Sequence, residues 1–125
     1  MVPAGEGLRR EAELKVPGLS IHVVDVSRGV VAAGMHVEVL FKNGKILSGT
    51  VSAKGLLEES ATLEPGVYEA VFHVAEWYRK EKVALPAVPF LDVVTYRFGI
   101  SDPAQHYHLP FKCTPWGYSC FRGGA

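Results

Sequence analysis

The chain has 125 residues, and its 13 basic and 13 acidic residues cancel to a formal net charge of zero. This length is typical of one domain, which buries roughly two-thirds of its unfolded surface and forms a core without disulfides or metals. Balanced charge gives no electrostatic reason to expect nucleic acid or an anionic membrane as a partner, and no apolar run approaches the ~18 residues needed to span a bilayer.

The first residues have linker character. Residues 1–18 mix acidic and basic side chains and contain no apolar stretch of signal-peptide length. We therefore predict a disordered N-terminal extension over residues 1–18, one domain over residues 19–125, and a cytoplasmic location. Cys113 and Cys120 fit a reducing compartment and are interpreted as two small buried hydrophobes, with a disulfide or redox pair as the alternative.

An apolar period of two runs through most of the chain and predicts strands. The predicted strands cover residues 19–26, 35–42, 45–51, 66–74, 90–98, 105–113 and 116–122. Asn43 and Gly44 stand between the second and third strands, where such a pair is typical of a hairpin with a type I′ turn.

One segment changes its period. Val74, Trp77 and Tyr78 are spaced i, i+3, i+4, which predicts a short amphipathic helix over residues 75–82. Pro86 and Pro89 then indicate a loop. Many short strands separated by turns predict a mainly β fold, an antiparallel sandwich of about eight strands with one short helix.

The strand over residues 105–113 carries two histidines on its polar face. Successive side chains of a strand point to opposite faces. The polar face comprises His106, His108, Pro110 and Lys112, and the apolar face comprises Tyr107, Leu109, Phe111 and Cys113. The apolar face is predicted to join the core, so that His108 and Lys112 point outward.

Three segments resemble motifs of a known family. Residues 20–25 read Ser-Ile-His-Val-Val-Asp, residues 106–115 read His-Tyr-His-Leu-Pro-Phe-Lys-Cys-Thr-Pro, and residues 121–124 read Phe-Arg-Gly-Gly. They resemble Ser-Thr-His-Val-Leu-Asp, His-Tyr-His-Val-Pro-Leu-Leu-Leu-Ser-Pro and the terminal Tyr-Arg-Gly-Ser of the 5-hydroxyisourate hydrolases, which share the transthyretin fold. The resemblance covers residues 19–124. It implies a homotetramer with active sites in a channel between dimers, a small-molecule substrate, and neither metal nor cofactor.

The same resemblance implies roles for individual residues. His22 and His108 take the positions of two catalytic histidines, which suit water activation because a neutral imidazole has its pKa near working pH. The candidate substrate-binding residues are Leu56, Lys112, Ser119, Phe121, Arg122, Gly123 and Gly124. Among these, Ser119, Arg122 and the N–H groups of Gly123 and Gly124 are candidate donors to a tetrahedral oxyanion.

The remaining histidines receive no firm role from the sequence. His106 lies one pleat from His108, and its part in the site is left open, whereas His36 and His73 lie outside the matched motifs and are interpreted as ordinary polar residues. Zinc held by His106, His108 and His22 is an alternative. It is not adopted, because no acidic residue stands beside the pair and the resembling family works without metal.

Three departures from the family pattern bear on the substrate. The family's Thr-Asn-x-Asp-Gly-Arg aligns with residues 51–56, so that Leu56 replaces an arginine, while Phe121 replaces the terminal tyrosine and Gly124 the terminal serine. A site whose polar groups hydrogen-bond the N–H groups of a substrate discriminates against analogues without those N–H groups by ~10⁴ or more in kcat/KM. Apolar surface instead favours methyl groups, each adding roughly 0.8 kcal/mol when buried. We therefore expect hydrolysis of the ring amide of an N-methylated 5-hydroxyisourate, such as the 1,3,7-trimethyl compound expected in caffeine degradation through trimethyluric acid.

Two alternatives to this function stay open. The first is ordinary 5-hydroxyisourate hydrolysis, with Lys112 or Lys54 supplying the cation that Leu56 lacks. The second is a non-catalytic transthyretin-like protein that binds small apolar ligands. Two retained histidines, His22 and His108, count against the second, because a carrier has no need of two bases.

Overall fold

The computed structural model describes residues 17–59 and 63–124. Within these ranges the chain forms nine strands and one helix. They are β1 (Gly18–Asp25), β2 (Val30–Val31), β3 (His36–Phe41), β4 (Gly44–Thr50), β5 (Leu56–Glu59), β6 (Gly66–His73), α1 (Val74–Lys80), β7 (Val93–Ile100), β8 (His106–Thr114) and β9 (Gly117–Cys120). Residues 1–16, most of the predicted extension, lie outside the described residues, and Gly18 already belongs to β1. In the described ranges no helix is both long enough and apolar enough to traverse a bilayer.

The strands form two sheets, which confirms the predicted mainly β fold. One sheet has the order β4-β3-β6-β7, and the other has the order β2-β1-β8-β9 with β5 also paired to β1. One pairing differs from the antiparallel prediction: β1 and β8 are parallel, from Gly18 opposite His106 to Asp25 opposite Cys113. These strands lie far apart in the sequence, so no short turn sets their relative direction.

The core lies between the two sheets and follows the two-residue alternation. Ile21 and Leu109 of the β2-β1-β8-β9 sheet face Val39 and Phe72 of the β4-β3-β6-β7 sheet, and all four are buried. The rings of Phe72 and Phe111 stack across the interior with centroids 3.8 Å apart and planes 8° from parallel. The predicted faces of β8 are thereby confirmed, since Tyr107, Leu109, Phe111 and Cys113 are buried and His106 and His108 are not.

The hairpin between β3 and β4 is confirmed, but its predicted turn is wrong. Lys42 and Asn43 form the loop, Lys42 alone of the pair has a positive φ, of 57°, and Gly44 already belongs to β4. A type I′ turn at residues 43–44 needs positive φ at both of them. The pairing shifts register between Val39 and Leu40, and beyond this irregularity Phe41 pairs with Gly44.

The predicted helix is confirmed, but it covers Val74–Lys80 and so begins one residue and ends two residues before the predicted bounds. Val74, Trp77 and Tyr78 are all buried in α1. The Trp77 indole N–H donates to the carbonyl of Ala33 at 2.8 Å, and the Tyr78 hydroxyl donates to the Asp25 carboxylate at 2.8 Å. These two bonds connect the helix to both ends of the segment between β1 and β3.

The sequence pattern did not predict two of the strands, β2 and β5. β2 has only two residues, and β5 reads Leu-Leu-Glu-Glu, which does not alternate between apolar and polar side chains. A period of two is detectable only over about four or more alternating residues. Both strands exist because the edge of β1 offers them backbone partners.

The two cysteines form no disulfide with each other; Cys113 is buried, as predicted, whereas Cys120 is only partly buried. Burial raises the pKa of Cys113 to about 11 and that of Cys120 to about 12. Cys113 lies opposite Tyr118, and Cys120 lies opposite Phe111, so the two cysteines are offset across the β8–β9 pair. A protonated thiol is a poor nucleophile, so these raised pKa values disfavour a redox pair in this hairpin.

Candidate active site

The polar side chains of three adjacent strands meet on the outer face of the β1–β8 sheet. The parallel register places Ser20 beside His108 and His22 beside Pro110. On the other side of β1, Leu56 lies opposite His22. We call this surface the histidine face; it comprises Ser20, His22, His106 and His108. Pairing between segments distant in sequence thus assembles the two predicted histidines on one surface.

Ser20 bridges two histidines of this face. Its Oγ lies 2.8 Å from Nε2 of His106 and 2.7 Å from Nδ1 of His108, and the residue is only 7% exposed. A hydroxyl has one proton to donate, so it donates to one ring nitrogen and accepts from the other. The tautomers of His106 and His108 are therefore linked through the Ser20 hydroxyl.

Neither Ser20 nor His106 received a firm role from the sequence, although a signal was present. Ser20 and His22 are two residues apart on a strand and so share a face, as do His106 and His108. What the sequence did not supply was the pairing of β1 with β8, which sets Ser20 between the two rings.

The surroundings of His108 favour its neutral form. Burial is the largest cause that lowers the pKa of His108, and the nearby charges of His22 and His106 lower it further. Glu58 and a hydrogen bond with the backbone of Ser20 oppose this shift. A neutral imidazole is the form that accepts a proton from water.

Glu58 corrects the expectation that no acidic residue accompanies the histidines. It lies on β5 opposite Ser20, and its exposed carboxylate acts on His108 through its charge. Glu58 was not predicted at this face because the sequence pattern did not indicate β5. Only the pairing of β5 with β1 brings residue 58 to this face.

Two glycines allow backbone to pack closely against the histidines. At Gly55, with φ of +81°, a Cβ would lie 2.9 Å from the Val31 side chain and 3.0 Å from Cδ2 of His22. At Gly123 a Cβ would lie 2.8 Å from Cγ of Pro110 and 3.5 Å from Cδ2 of His108. A side chain would displace Val31 and the His22 ring at the first position and the Pro110 ring at the second, which explains why glycine fits both.

The C-terminal segment is attached to β8 by bonds that occupy some of the predicted donors. The Gly123 N–H donates to the carbonyl of His108 at 2.8 Å, so it is engaged and is not available to an oxyanion. Arg122 Nη2 donates to Gln105 at 2.9 Å and to the carbonyl of His106 at 3.3 Å. The guanidinium also lies 4.1 Å from the ring centroid of Tyr107, so Arg122 is held beside the start of β8.

The other predicted binding residues lie farther along the same sheet. Lys112 pairs with Ser119, and its Nζ lies 5.8 Å from the ring centroid of Phe121. Lys112 is four residues from His108, about 13 Å along a strand that rises ~3.3 Å per residue. Lys112, Ser119 and Phe121 thus form a neighbouring patch rather than part of the histidine face.

Leu56 and Gly124, which stand where the family pattern has an arginine and a serine, lie next to the histidine face. Neither supplies a polar side chain there. Leu56 is partly buried opposite His22. Around Gly124, with φ of +46°, a Cβ would meet nothing within 4 Å. Lys54, the other candidate cation, is exposed in the turn that precedes Gly55. The face therefore combines a hydrogen-bonded set of bases with apolar surface beside it.

Comparison with known proteins identifies the family. A model described as the HIUase/Transthyretin family matches residues 19–123. A 5-hydroxyisourate hydrolase of Deinococcus radiodurans is 41% identical over 115 residues, an alignment that covers 86% of this chain and 96% of the relative.

Solved structures agree with the sequence relatives. A 5-hydroxyisourate hydrolase of Klebsiella pneumoniae superposes with a TM-score of 0.76 at 25% identity and covers 86% of this chain and 99% of its own. An (S)-allantoin synthase superposes with a TM-score of 0.78 at 26% identity over 94% of this chain, which spans only 48% of the length of that synthase chain. From its sequence and its fold, the chain belongs to the HIUase/Transthyretin family.

Proposed function

We propose that the protein is a hydrolase that opens the ring amide of 5-hydroxyisourate. The observation that carries this proposal is the histidine face, where Ser20 bonds both His106 and His108 and where burial lowers the pKa of His108. The names of the relatives from Deinococcus radiodurans and Klebsiella pneumoniae support the same substrate.

The hydrogen bonds suggest how the base is oriented. In our proposal the Nδ1–H of His108 donates to Ser20, and the Ser20 hydroxyl donates to Nε2 of His106. This arrangement leaves Nε2 of His108 with a lone pair. His108 is then the general base, and Ser20 is a positioning residue that selects its tautomer.

The reaction itself needs two proton transfers. His108 accepts a proton from water as the water oxygen bonds to the ring carbonyl carbon. His22 gives a proton to the ring nitrogen as the carbon–nitrogen bond breaks, and exchange with solvent restores both histidines. The charge of His22 contributes to the lowered pKa of His108, so the two side chains are near each other. This supports placing both around one substrate.

The tetrahedral oxyanion requires donors or positive charge. With the Gly123 N–H engaged by His108, the Gly124 N–H and the positive charge of Arg122 are the groups that we assign to this task. Gly124 directly follows the residue that packs on Pro110, so its backbone lies close to the histidine face.

An N-methylated 5-hydroxyisourate is a second candidate substrate, and one observation favours it. Leu56, in the position of the family's arginine, lies opposite His22, so an apolar side chain adjoins the proposed proton donor. Open space at Gly124 adds room for methyl groups. We place the 1,3,7-trimethyl compound second because the named relatives support the unmethylated substrate.

A side-by-side assay tests both substrates. Freshly prepared 5-hydroxyisourate and its 1,3,7-trimethyl analogue are followed by the loss of their ultraviolet absorbance, with spontaneous decay measured in the absence of protein. Acceleration of either reaction supports the hydrolase, and the ratio of the two kcat/KM values assigns the preferred substrate. If neither decay is accelerated, the hydrolase proposal fails, and binding of small apolar ligands becomes the reading to test.

We further propose that the protein acts in the cytoplasm as a homotetramer with its sites at the interface between dimers. The free thiols agree with a reducing compartment. Large apolar side chains are exposed on the described chain near the histidine sheet, among them Trp116 at 61% and Phe121 at 44%. Sedimentation that shows only monomer at micromolar concentration would contradict a site shared between subunits.

A further inference from the structure

A second group of polar side chains lies on the sheet that does not carry the histidine face. His36 and Glu38 are alternate residues of β3, so their side chains share the outer face of the β4-β3-β6-β7 sheet. Val37 pairs with Phe72 in the antiparallel register of β3 and β6, which brings His73, the last residue of β6, next to His36. Long-range pairing thus places two imidazoles beside one carboxylate.

The distances within this group are short. Nε2 of His73 lies 2.9 Å from Oε1 of Glu38, and Nε2 of His36 lies 3.7 Å from the same oxygen. One ligand atom from each residue lies within 4.8 Å of the other two, and no other trio of His, Cys, Asp or Glu in residues 17–59 and 63–124 meets this criterion. Ligands around tetrahedral zinc stand about 3.3 Å apart, given bond lengths of about 2.0–2.2 Å.

We propose that His36, Glu38 and His73 form a site for a divalent transition metal, with zinc as the metal that fits best. Two imidazoles and one carboxylate supply three protein ligands, and water completes a tetrahedron. Small rotations of the side chains would bring the three ligand atoms to equal separations, since the imidazole rings already lie 4.9 Å apart with planes 37° from parallel.

The charge state of the group suits a cation. The Glu38 carboxylate contacts the Lys45 ammonium and the His73 ring, so it presents a negative charge on this face. Lys45 contacts the other carboxylate oxygen, Oε2, and leaves Oε1 toward the histidines. The exposed fractions of the His36 and His73 side chains, 33% and 23%, allow an ion to enter from solvent.

Lys45 allows a specific test of the metal site, because its ammonium group competes with a metal ion for the Glu38 carboxylate. Removing this cation should strengthen metal binding if Glu38 is a ligand. Removing a histidine ligand should weaken it by at least about 10- to 100-fold, the scale reported even for residues that only support a ligand. A surface that binds zinc nonspecifically should not gain zinc affinity when Lys45 is removed and lose it when a neighbouring histidine is removed.

The experiment is a Zn²⁺ titration of the full chain in competition with a chromophoric chelator. The proposal predicts one zinc per chain, weaker binding in His36→Gln and in His73→Gln, and tighter binding in Lys45→Met. Glu69→Gln is the matched control: it removes a partly buried carboxylate from the same face of β6, two pleats from His73, and should leave zinc affinity unchanged. Circular dichroism of each variant checks whether its fold is retained.

A zinc ion bound at the histidine face would give a different pattern. The titration is therefore repeated with the His22→Ala and His108→Ala double variant, which should still bind one zinc with the wild-type affinity. The proposal is overturned if that double variant loses zinc, or if His36→Gln and His73→Gln bind it as the wild type does. Zinc should also raise the melting temperature of the wild type but not that of His73→Gln.

Discussion

The hydroxyl of Ser20 lies 2.7 Å from Nδ1 of His108, and this contact depends on the parallel pairing of β1 with β8. Ser20 is directly opposite His108 in that register, and both side chains point to the outer face of the sheet. A shift of one residue would turn one of the two side chains into the core. The register therefore decides whether His108 has a partner for its Nδ1 atom.

Replacement of Ser20 tests whether it positions the base. Ser20→Ala should lower kcat by up to about 10²-fold, the scale expected when a reacting group is misplaced. It should leave KM nearly unchanged, because Ser20 is proposed to act through His108 rather than on the substrate. The pH dependence of kcat/KM should shift as well, since the hydrogen bond between the Ser20 hydroxyl and Nδ1 of His108 is lost. A purely structural role would lower the melting temperature without moving this pH profile.

Ser48→Ala is the matched control for that variant. Ser48 is an exposed serine on β4, in the opposite sheet, so loss of its hydroxyl should leave kcat and the pH profile as in the wild type. Equal effects of the two substitutions would contradict the positioning role of Ser20.

The proposed acid–base pair can be tested by truncation. His108→Ala and His22→Ala should each lower kcat by about 10²-fold or more, the usual contribution of a positioned acid or base. Their melting temperatures should change little, because both side chains are only partly buried on the outer face. Activity retained in the double variant would transfer the chemistry to other groups.

The lowered pKa of His108 predicts how activity and stability vary with pH. As a base, His108 should give a kcat/KM that rises with pH through a midpoint below its ordinary value of 6.5. In the unfolded chain the same residue takes up its proton near that value, while the folded chain takes it up only at lower pH. Unfolding therefore binds a proton in this window, and the free energy of unfolding falls as the pH drops below 6.5.

Thermal melts across this pH range check the stability part of the prediction. His108→Gln removes the titrating group, so its melting temperature should fall less than that of the wild type as the pH decreases from 6.5. Parallel curves for the two proteins would show that His108 does not have a lowered pKa.

Substrate preference should follow the polar groups that differ from the family pattern. Leu56→Arg combined with Phe121→Tyr and Gly124→Ser should move kcat/KM toward unmethylated 5-hydroxyisourate and away from the trimethyl compound. An arginine opposite His22 would need a hydrogen-bonding partner that a methylated ring edge does not offer, at a cost of about 1–3 kcal/mol. The ratio of kcat/KM for the two substrates, in wild type and variant, is the measurement.

An unchanged ratio in the triple variant would show that these three positions do not select the substrate. Lys112→Ala would then be the next variant, because Lys112 is the cation on the same face of β8 as His108. A loss of activity toward unmethylated substrate in Lys112→Ala would make this lysine the replacement for the family's arginine.

Local patterns in the sequence determined the faces of the strands, the stripe of the helix and the existence of the β3–β4 hairpin. Alternation along β8 was enough to separate His106 and His108 from the buried Tyr107 and Leu109. Such features depend on neighbours within a few residues, so their periods can be read directly from the chain.

Tertiary structure alone decided which residues from distant strands meet. The parallel pairing of β1 with β8 placed Ser20 between two histidines, the pairing of β5 with β1 brought in Glu58, and the β3–β6 register gathered His36, Glu38 and His73. No sequence period encodes these contacts, because they depend on the order and register of strands that only the packed core selects.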